Sequence, residues 1–310
     1  MQNLVLKEEN LSTLNSMQKI LECVPNFSEG KDKKKIAKVL SSIKKIKGVK
    51  VLDSSSDPDH NRSVITFLGE PKKVLKAAFE ATKTASQIIN LAKHKGIHPR
   101  IGATDVMPLI PLKNISEKEA IKYSKELGKK IAEELKIPVY FYEKSATTAK
   151  RKNLADVRNI GYEQLKKEIS KNKNRFPDLG PKYLGKAGAI ALGVRNILVA
   201  FNINLKTSDI EIAKKIANQI REKTGGLPYV KALGLKLKHK NLAQVSMNLT
   251  NYKKTPPLKV FKLVDKLAKK YHTEILESEL IGLIPRAALK NTSAKELKIT
   301  HFSSEKILPL

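Results

Sequence analysis

The sequence contains no tryptophan and one cysteine, Cys23, among its 310 residues. A single thiol excludes an intramolecular disulfide framework and any zinc site made of several cysteines, and it is typical of a reducing compartment. No segment approaches the roughly 18 to 20 uncharged apolar residues of a membrane helix. The N-terminus also lacks the basic start and apolar run of a signal peptide. The sequence therefore predicts a soluble, cytoplasmic protein.

Arginine and aromatic residues are also scarce, although the net charge is +30. Eight of the 60 basic residues are arginine, the residue that makes bidentate contacts with phosphates and bases, and few rings are present for base stacking. The lysines are spread along the polar faces of predicted helices, as in DKKKIAKVL and KELGKKIAEELK. We interpret the charge as a lysine-rich surface that reflects genome composition. The functional alternative is a basic protein that attracts polyanionic small substrates. A nucleic-acid-binding protein of ferredoxin-like fold is the remote alternative.

Strand-like and helical patterns alternate after a polar start. Residues 1–16 predict a disordered extension, or lie before the true start of translation. The segments from KILECVPNF to IGATDVMPLIPL predict strand, helix, strand, strand, helix and strand, with the second helix running from Pro71 to Gly96. A further helix and strand follow, and then one helix over residues 153–170.

The same series of elements recurs between NILVAFNINL and TEILESELIGLI. Two βαββαβ units predict an α/β (α+β) fold made of two duplicated ferredoxin-like subdomains. We divide them into residues 17–178 and 179–310. The irregular segment between the halves, about residues 150–187, is where a shared cleft is expected.

The loop GPKYLGKA nearly fits a phosphate-binding loop. Its last residue, Ala187, supplies no hydroxyl for magnesium, and the loop does not join a strand to a helix. The sequence therefore predicts a flexible basic loop that closes on an anionic ligand.

A second motif, KHKGIHPR, places His94 and His98 four residues apart, as in some metal sites. Gly96 and Pro99 interrupt the continuous helix that such a pair would need. From the residues alone, His98 is either an ordinary loop histidine or a general acid–base group, because histidine titrates near neutral pH.

Polar residues also occur where strands are predicted to begin or end. The segment VLDSSSDPDHNRS lacks the spacing of a calcium-binding loop and is an ordinary solvated turn unless it faces a site. Asn202, Asn204 and Asn248 lie inside apolar strands, where an amide is costly unless it is hydrogen-bonded. They belong either to a buried network or to a polar site.

Taken together, several long motifs resemble the glutamate formimidoyltransferase (formiminotransferase) family: ECVPNFSEG, LDSSSDPDHNRSV, KHKGIHPRIGATDV, RFPDLGP, LVAFNINL and NLAQVSMNL. The resemblance covers about residues 19–288. In animals this module is fused to a cyclodeaminase, and the chain ends too early to contain one. It is therefore similar to the stand-alone microbial form.

The resemblance implies two ferredoxin-like subdomains with a folate-binding tunnel between them. It implies transfer of a formimino group from N-formimino-L-glutamate to tetrahydrofolate, the co-substrate, in histidine degradation, without a metal. It implies a homodimer that binds folate, with or without a polyglutamate tail, and works with a separate cyclodeaminase. The composition and the length of the apolar runs predict that the protein binds neither nucleic acid nor membrane. Transfer of a formyl group from 5-formyltetrahydrofolate to glutamate, and folate binding without turnover, are the alternatives.

The resemblance also assigns site residues. The catalytic histidine is His98, and Ile97 stands beside it where the family usually has glutamate. Folate contacts fall on the loop after PDLG, which is a partial match: Gly180, Pro181, Lys182, Tyr183, Leu184, Gly185, Lys186, Ala187, Gly188 and Ala189. Residues expected to line the site are Asn26, Asp53, Asn61, Arg100, Asp105, Asn202 and Asn204, with Arg100 meeting a substrate carboxylate.

Overall fold

The structure is a computed structural model that describes residues 18–58, 60–96, 99–237 and 240–308. Two β-sheets with their helices contain most of the regular elements. The first part of the chain forms β1 (Ile20–Cys23), β2 (Asn26–Phe27), α1 (Lys33–Lys44), β3 (Val49–Asp57), β4 (Arg62–Gly69), α2 (Pro71–Ile88), β5 (Thr104–Lys113), α3 (Glu117–Leu135), β6 (Val139–Glu143), α4 (Leu154–Arg158), α5 (Gly161–Glu168) and β7 (Ile190–Val194). The second part forms β8 (Val199–Leu205), α6 (Ile210–Ile220), β9 (Val230–Leu237), β10 (Leu242–Leu249), α7 (Pro257–Lys270), β11 (Ile275–Ile281), β12 (Ile284–Pro285) and β13 (Ile307–Leu308).

The larger sheet has the strand order β3–β4–β1/β2–β5–β7–β6. β1 and β2 behave as one strand interrupted at Val24 and Pro25, since each pairs antiparallel with both β4 and β5. β7 runs parallel to β5 and to β6. The sheet therefore consists of the βαββαβ series with two parallel strands added at one edge.

The smaller sheet is antiparallel, in the order β11–β8–β10–β9. In both sheets the first strand of the series lies between the third and the fourth, and the second lies outside the third. The two halves of the chain thus repeat one strand order. The α/β architecture predicted from the alternating pattern is confirmed.

Alternation along the strands gives each sheet two different faces. In β1 and β4 the apolar residues Leu21 and Phe67 join a core with the helices of the first half. Glu22 and Thr66 are neither core residues nor exposed: they lie on the other face and are only 4% and 1% exposed. The polar face of the larger sheet is therefore buried as well.

Helix α2 ends at Ile88, eight residues before the predicted end at Gly96. Ile89 is extended and buried, and a short 3₁₀ helix, Leu91–Lys93, begins at the buried Leu91. The Asn90 side chain accepts a hydrogen bond from the Ala92 N–H. The helix prediction failed because burial of two aliphatic side chains and a local cap outweigh helix propensity over this segment.

The single helix predicted over residues 153–170 is two helices, α4 and α5. Gly161 has a φ of +69°, a conformation that glycine adopts without strain, and it turns the chain between them. Strand β7 pairs within the larger sheet, so the chain passes from the first sheet to the second between Val194 and Val199. No helix among the described residues is long and apolar enough to cross a membrane.

Candidate functional site

Residues 89–103, which we call loop 89–103, connect α2 to β5. Residues 97 and 98 lie outside the described residues, and with them the predicted catalytic residue His98 and its neighbour Ile97. The segments on both sides of this pair are described, and their contacts define the surroundings of the predicted catalytic position.

The predicted folate loop, residues 180–189, runs beside loop 89–103. The Leu91 N–H donates to the Lys186 carbonyl at 2.9 Å, before the undescribed pair. After that pair, Ala103 N–H donates to the Ala187 carbonyl and Ala189 N–H donates to the Ile101 carbonyl, both at 2.8 Å. Three backbone hydrogen bonds therefore join the two predicted segments.

Two glycines permit this close approach. A β-carbon on Gly102 would lie 1.7 Å from the Ala189 carbonyl oxygen, and Gly102 bridges Gly188 as in an antiparallel pair. Gly188 itself has a φ of +71°, which favours glycine. Gly102 and Gly188 are thus explained by backbone packing between the two loops.

The exposed part of loop 180–189 is basic and aromatic. Tyr183 is 60% exposed. The Lys182 ammonium lies 3.8 Å from the centre of the Phe176 ring, and the Lys186 ammonium donates to the Gln87 carbonyl at 3.2 Å. This surface offers two ammonium groups and a phenol ring to an anionic, aromatic ligand.

A buried ion pair lies under loop 89–103. Arg158, the last residue of α4, contacts Asp105 with Nη2 2.9 Å from Oδ2, and the same nitrogen donates to the Pro99 carbonyl. Asp105 accepts from the Ile101 N–H through Oδ1 at 2.8 Å. The side chains of Arg158 and Asp105 are 10% and 1% exposed.

Arg100 makes a second set of contacts, one of them with helix α5. Its Nη2 lies 2.7 Å from the Glu163 carboxylate of α5 and 2.7 Å from the His94 carbonyl oxygen. The guanidinium, predicted to meet a substrate carboxylate, is therefore occupied by a carboxylate and a carbonyl of the protein itself.

Asn61 joins loop 89–103 to the β3–β4 turn. Its side chain donates to the Lys95 carbonyl at 2.8 Å and accepts from the Gly30 N–H at 2.9 Å. Its own carbonyl lies 2.9 Å from His94 Nε2, which therefore carries the proton in a neutral ring. Burial lowers the pKa of His94, so at neutral pH this histidine is an uncharged donor.

Among the described residues, no three His, Cys, Asp or Glu side chains come together as metal ligands. His94 has its Nε2 occupied by the Asn61 carbonyl. It also lies outside any α-helix.

Two other predicted residues lie on strands of the larger sheet. Asn26, on β2, donates to the Val24 carbonyl at 3.1 Å. Asp53, on β3, stands opposite Thr66 and accepts from Lys306, 2.6 Å away in the C-terminal segment. The second oxygen of Asp53 and the Thr66 hydroxyl are buried without a hydrogen-bond partner.

Asn204 belongs to a polar cluster on the smaller sheet. Its side-chain N–H groups contact Glu277 at 2.8 Å and Glu279 at 3.0 Å, and Gln244 donates to its carbonyl oxygen at 2.8 Å. Lys240 contacts both carboxylates, at 3.0 Å and 2.7 Å. The Asn204 amide is thus hydrogen-bonded through both its nitrogen and its oxygen, as its cost in an apolar strand requires, whereas Asn248 of β10 is exposed.

Asn202 lies on the same strand as Asn204, and its carbonyl oxygen accepts from the Met247 N–H at 3.3 Å. The structure brings Asn61, Arg100 and Asp105 together around loop 89–103, beside loop 180–189. Asn26 and Asp53 lie on the face of the larger sheet, and the two asparagines of β8 lie on the smaller one.

Sequence reasoning missed Arg158 and Glu163, which hold loop 89–103 from α4 and α5. A signal for Arg158 was present: it is one of eight arginines in a chain that otherwise uses lysine, and it lies in a helix with few other features. Its partner cannot be read from the sequence because Arg158 and Asp105 are 53 positions apart.

Comparison with known proteins identifies the family of the chain. The family profile described as "Formiminotransferase domain, N-terminal subdomain" matches residues 20–195, and that described as "Formiminotransferase domain" matches residues 200–302. A glutamate formimidoyltransferase of Thermoplasma acidophilum is 46% identical over 93% of this chain and 96% of its own length. One from Streptococcus pyogenes serotype M1 is 42% identical over 94% and 97%. A formimidoyltransferase-cyclodeaminase of Mus musculus is 40% identical over 90% of this chain and 52% of its own length. The chain belongs to the formiminotransferase family.

Proposed function

We propose that the chain transfers the formimino group of N-formimino-L-glutamate to tetrahydrofolate, giving 5-formiminotetrahydrofolate and L-glutamate. The enzyme is then a one-carbon transferase of histidine degradation with tetrahydrofolate as co-substrate. The observation that carries the proposal is the backbone pairing of loop 180–189 with loop 89–103, on both sides of His98. It supports a single site in which the folate lies beside the catalytic histidine.

In the proposed reaction, N5 of tetrahydrofolate attacks the amidine carbon of the donor and gives a tetrahedral intermediate. His98 accepts the proton that N5 loses as the new C–N bond forms. It then returns a proton to the glutamate nitrogen as the bond from that nitrogen to the one-carbon unit breaks. Atoms and charge balance within the two substrates and one histidine, and a general acid–base group contributes about 10² to 10⁴ in rate.

The basic surface of loop 180–189 binds the anionic part of the folate in this proposal. Lys182 and Lys186 supply positive charge, and Tyr183 supplies an exposed ring. Arg100 has a supporting role here, since its guanidinium contacts Glu163 and the His94 carbonyl.

We further propose that the two halves are duplicated ferredoxin-like subdomains that enclose the folate-binding tunnel. The identical strand order of the two βαββαβ series supports the duplication. The pairing of β7 within the larger sheet favours a division between residues 195 and 199 over one after residue 178. The polar faces that carry Asp53, Asn202 and Asn204 supply the tunnel lining in this arrangement.

Replacement of His98 tests the proposed function. We expect His98→Ala to lower kcat about 10²- to 10⁴-fold, with the KM for tetrahydrofolate changed less than about threefold, because the ring moves a proton and does not bind folate. Formation of the formimino-folate is followed by absorbance. His272→Asn is the matched control, since His272 is exposed and its left-handed backbone, with a φ of 55°, suits asparagine. A loss of less than about tenfold in a folded His98→Ala protein would exclude the acid–base role.

The choice of donor separates the proposed activity from formyl transfer. We expect turnover with formiminoglutamate and tetrahydrofolate, and none with glutamate and 5-formyltetrahydrofolate. Preferential turnover of the formyl pair would reverse the assignment. The homodimer and the separate cyclodeaminase partner stay predictions, which light scattering and a coupled assay address.

A further inference from the structure

The buried pair Arg158–Asp105 encloses the three residues that follow His98 in the chain. The Pro99 carbonyl is bound by Arg158 at one end, and the Ile101 N–H is bound by Asp105 at the other. The two side chains contact each other at 2.9 Å. The hydrogen bonds thus form a closed ring through residues 99–101.

Residues 99–101 belong to no helix or strand, and Pro99 has no N–H to donate. One backbone hydrogen bond reaches the segment from loop 180–189, from the Ala189 N–H to the Ile101 carbonyl. Side chains that reach it from elsewhere add to this support. A buried guanidinium is well suited to this task, because its planar N–H groups bind a carboxylate and a carbonyl at once.

Helices α4 and α5 and the turn between them, which we call the helical corner, supply both Arg158 and Glu163. Arg158 ends α4, and Glu163, in the first turn of α5, holds Arg100, which in turn donates to the His94 carbonyl. Gly161, with its φ of +69°, makes the turn that aims both at loop 89–103. The corner thus contacts the loop at Pro99 and Arg100, and Arg100 links these contacts to the His94 carbonyl.

We propose that Arg158 is a positioning residue of the transfer reaction, which fixes the backbone at Pro99, the residue that follows His98 in the sequence, by holding the Pro99 carbonyl and Asp105. The inference rests on the proposed function. Arg158 does not touch substrate or move a proton. It holds the chain next to the proposed catalytic residue, and a displacement of about 1 Å in a catalytic group lowers rates by up to about 10²-fold.

The test compares Arg158→Met and Arg158→Lys with a control, Lys152→Gln. Lys152 is exposed and lies between β6 and α4, in the segment that leads to Arg158. We expect Arg158→Met to lower kcat roughly 10- to 100-fold while the KM for tetrahydrofolate changes less than about threefold. Lysine keeps the charge and one of the two contacts, so Arg158→Lys should recover part of kcat. A purely structural role predicts instead that kcat follows the folded fraction and that lysine gives no separate recovery.

A second measurement does not depend on activity. Trypsin cleaves after Lys95, within loop 89–103. If loop 89–103 is released in folded Arg158→Met, cleavage after Lys95, detected by mass spectrometry, should be faster than in the parent. In Lys152→Gln the rate of cleavage should be unchanged. Arg158→Met that keeps kcat within threefold of the parent, or cleavage at an unchanged rate, would overturn the positioning role. An inactive parent protein would contradict the proposed function itself, whereas a fully active Arg158→Met protein would contradict only this inference.

Discussion

Glu22 is a carboxyl group on the buried polar face of the larger sheet. It is 4% exposed, and its cross-strand neighbours are Leu68 and Ile110. Burial raises its pKa from the ordinary value of 4.5 to about 7, and the positive charge of Arg195 offsets only part of this. The native protein therefore holds a proton on Glu22 at pH values where the unfolded chain has released it.

The raised pKa predicts how stability depends on pH. Between about pH 4.5 and 7 the native state binds more protons than the unfolded state, so Glu22 lowers stability progressively as pH rises. Glu22→Gln should remove this loss. We expect the variant to match the parent near pH 4.5 and to be more stable by about 3 kcal/mol above pH 7, measured by urea unfolding at pH 4.5, 6 and 8.

The exposed Glu126 provides the matched control for this experiment. Glu126→Gln should shift the free energy of unfolding by less than about 0.5 kcal/mol at every pH. A Glu22→Gln protein whose difference from the parent is the same at pH 4.5 and pH 8 would contradict the raised pKa.

At the scale of elements, the pairing of loop 180–189 with loop 89–103 depends on Gly102. A β-carbon there would meet the Ala189 carbonyl at 1.7 Å, which neither backbone can avoid without separating. We expect Gly102→Ala to destabilise the protein by roughly 3 kcal/mol, the upper end of the usual cost of overpacking, in urea unfolding. Gly185→Ala, in the partner loop 180–189, is the control, because nothing lies within 4 Å of a β-carbon built there. Equal stability of the two variants would show that the loops separate at no cost.

Most helices and strands could be predicted, because the spacing of their apolar residues and their capping residues indicate the same structure. Helix α1 begins after Asp32, whose side chain accepts from the Lys34 and Lys35 N–H groups, and its apolar spacing predicts the buried Val39 and Ile43. The end of α2 could not be predicted, since the hydrogen bond from Leu91 to Lys186 joins residues 95 positions apart. Long-range contacts of this kind override local propensity.

The candidate site, too, could be predicted from the sequence only in part. Long motifs identified loop 89–103 and loop 180–189, and glycine content indicated unusual backbone there. The partners of Asp105 and Arg100 were not predictable, because α4 and α5 approach the loop only after the chain has completed β5, α3 and β6. A periodic pattern describes one element at a time and carries no information about which elements meet.

At the scale of the whole molecule, polar contacts join the two halves of the chain. Lys231 of β9 lies 3.1 Å from Asn153, the residue that caps α4. Gly282, just after β11, approaches the Thr66 hydroxyl: a β-carbon there would lie 3.8 Å away. Lys306 reaches Asp53 from the C-terminal segment, next to β13, which pairs with β12. The C-terminal segment thus holds the polar face of the larger sheet.

The Lys306–Asp53 contact predicts a measurable coupling between the halves. Asp53 is 12% exposed in its side chain, and its other oxygen has no hydrogen-bond partner, so removal of the ammonium leaves a largely buried carboxylate without its cation. We expect Lys306→Ala to destabilise the protein by about 1–3 kcal/mol, and the exposed Lys295→Ala by less than about 0.5 kcal/mol. Asp53→Asn should relieve most of the loss, because a neutral amide has no charge to compensate. Measured as a double-mutant cycle in urea, the coupling should reach about 1 kcal/mol; strictly additive effects would mean that the C-terminal segment does not hold Asp53 in solution.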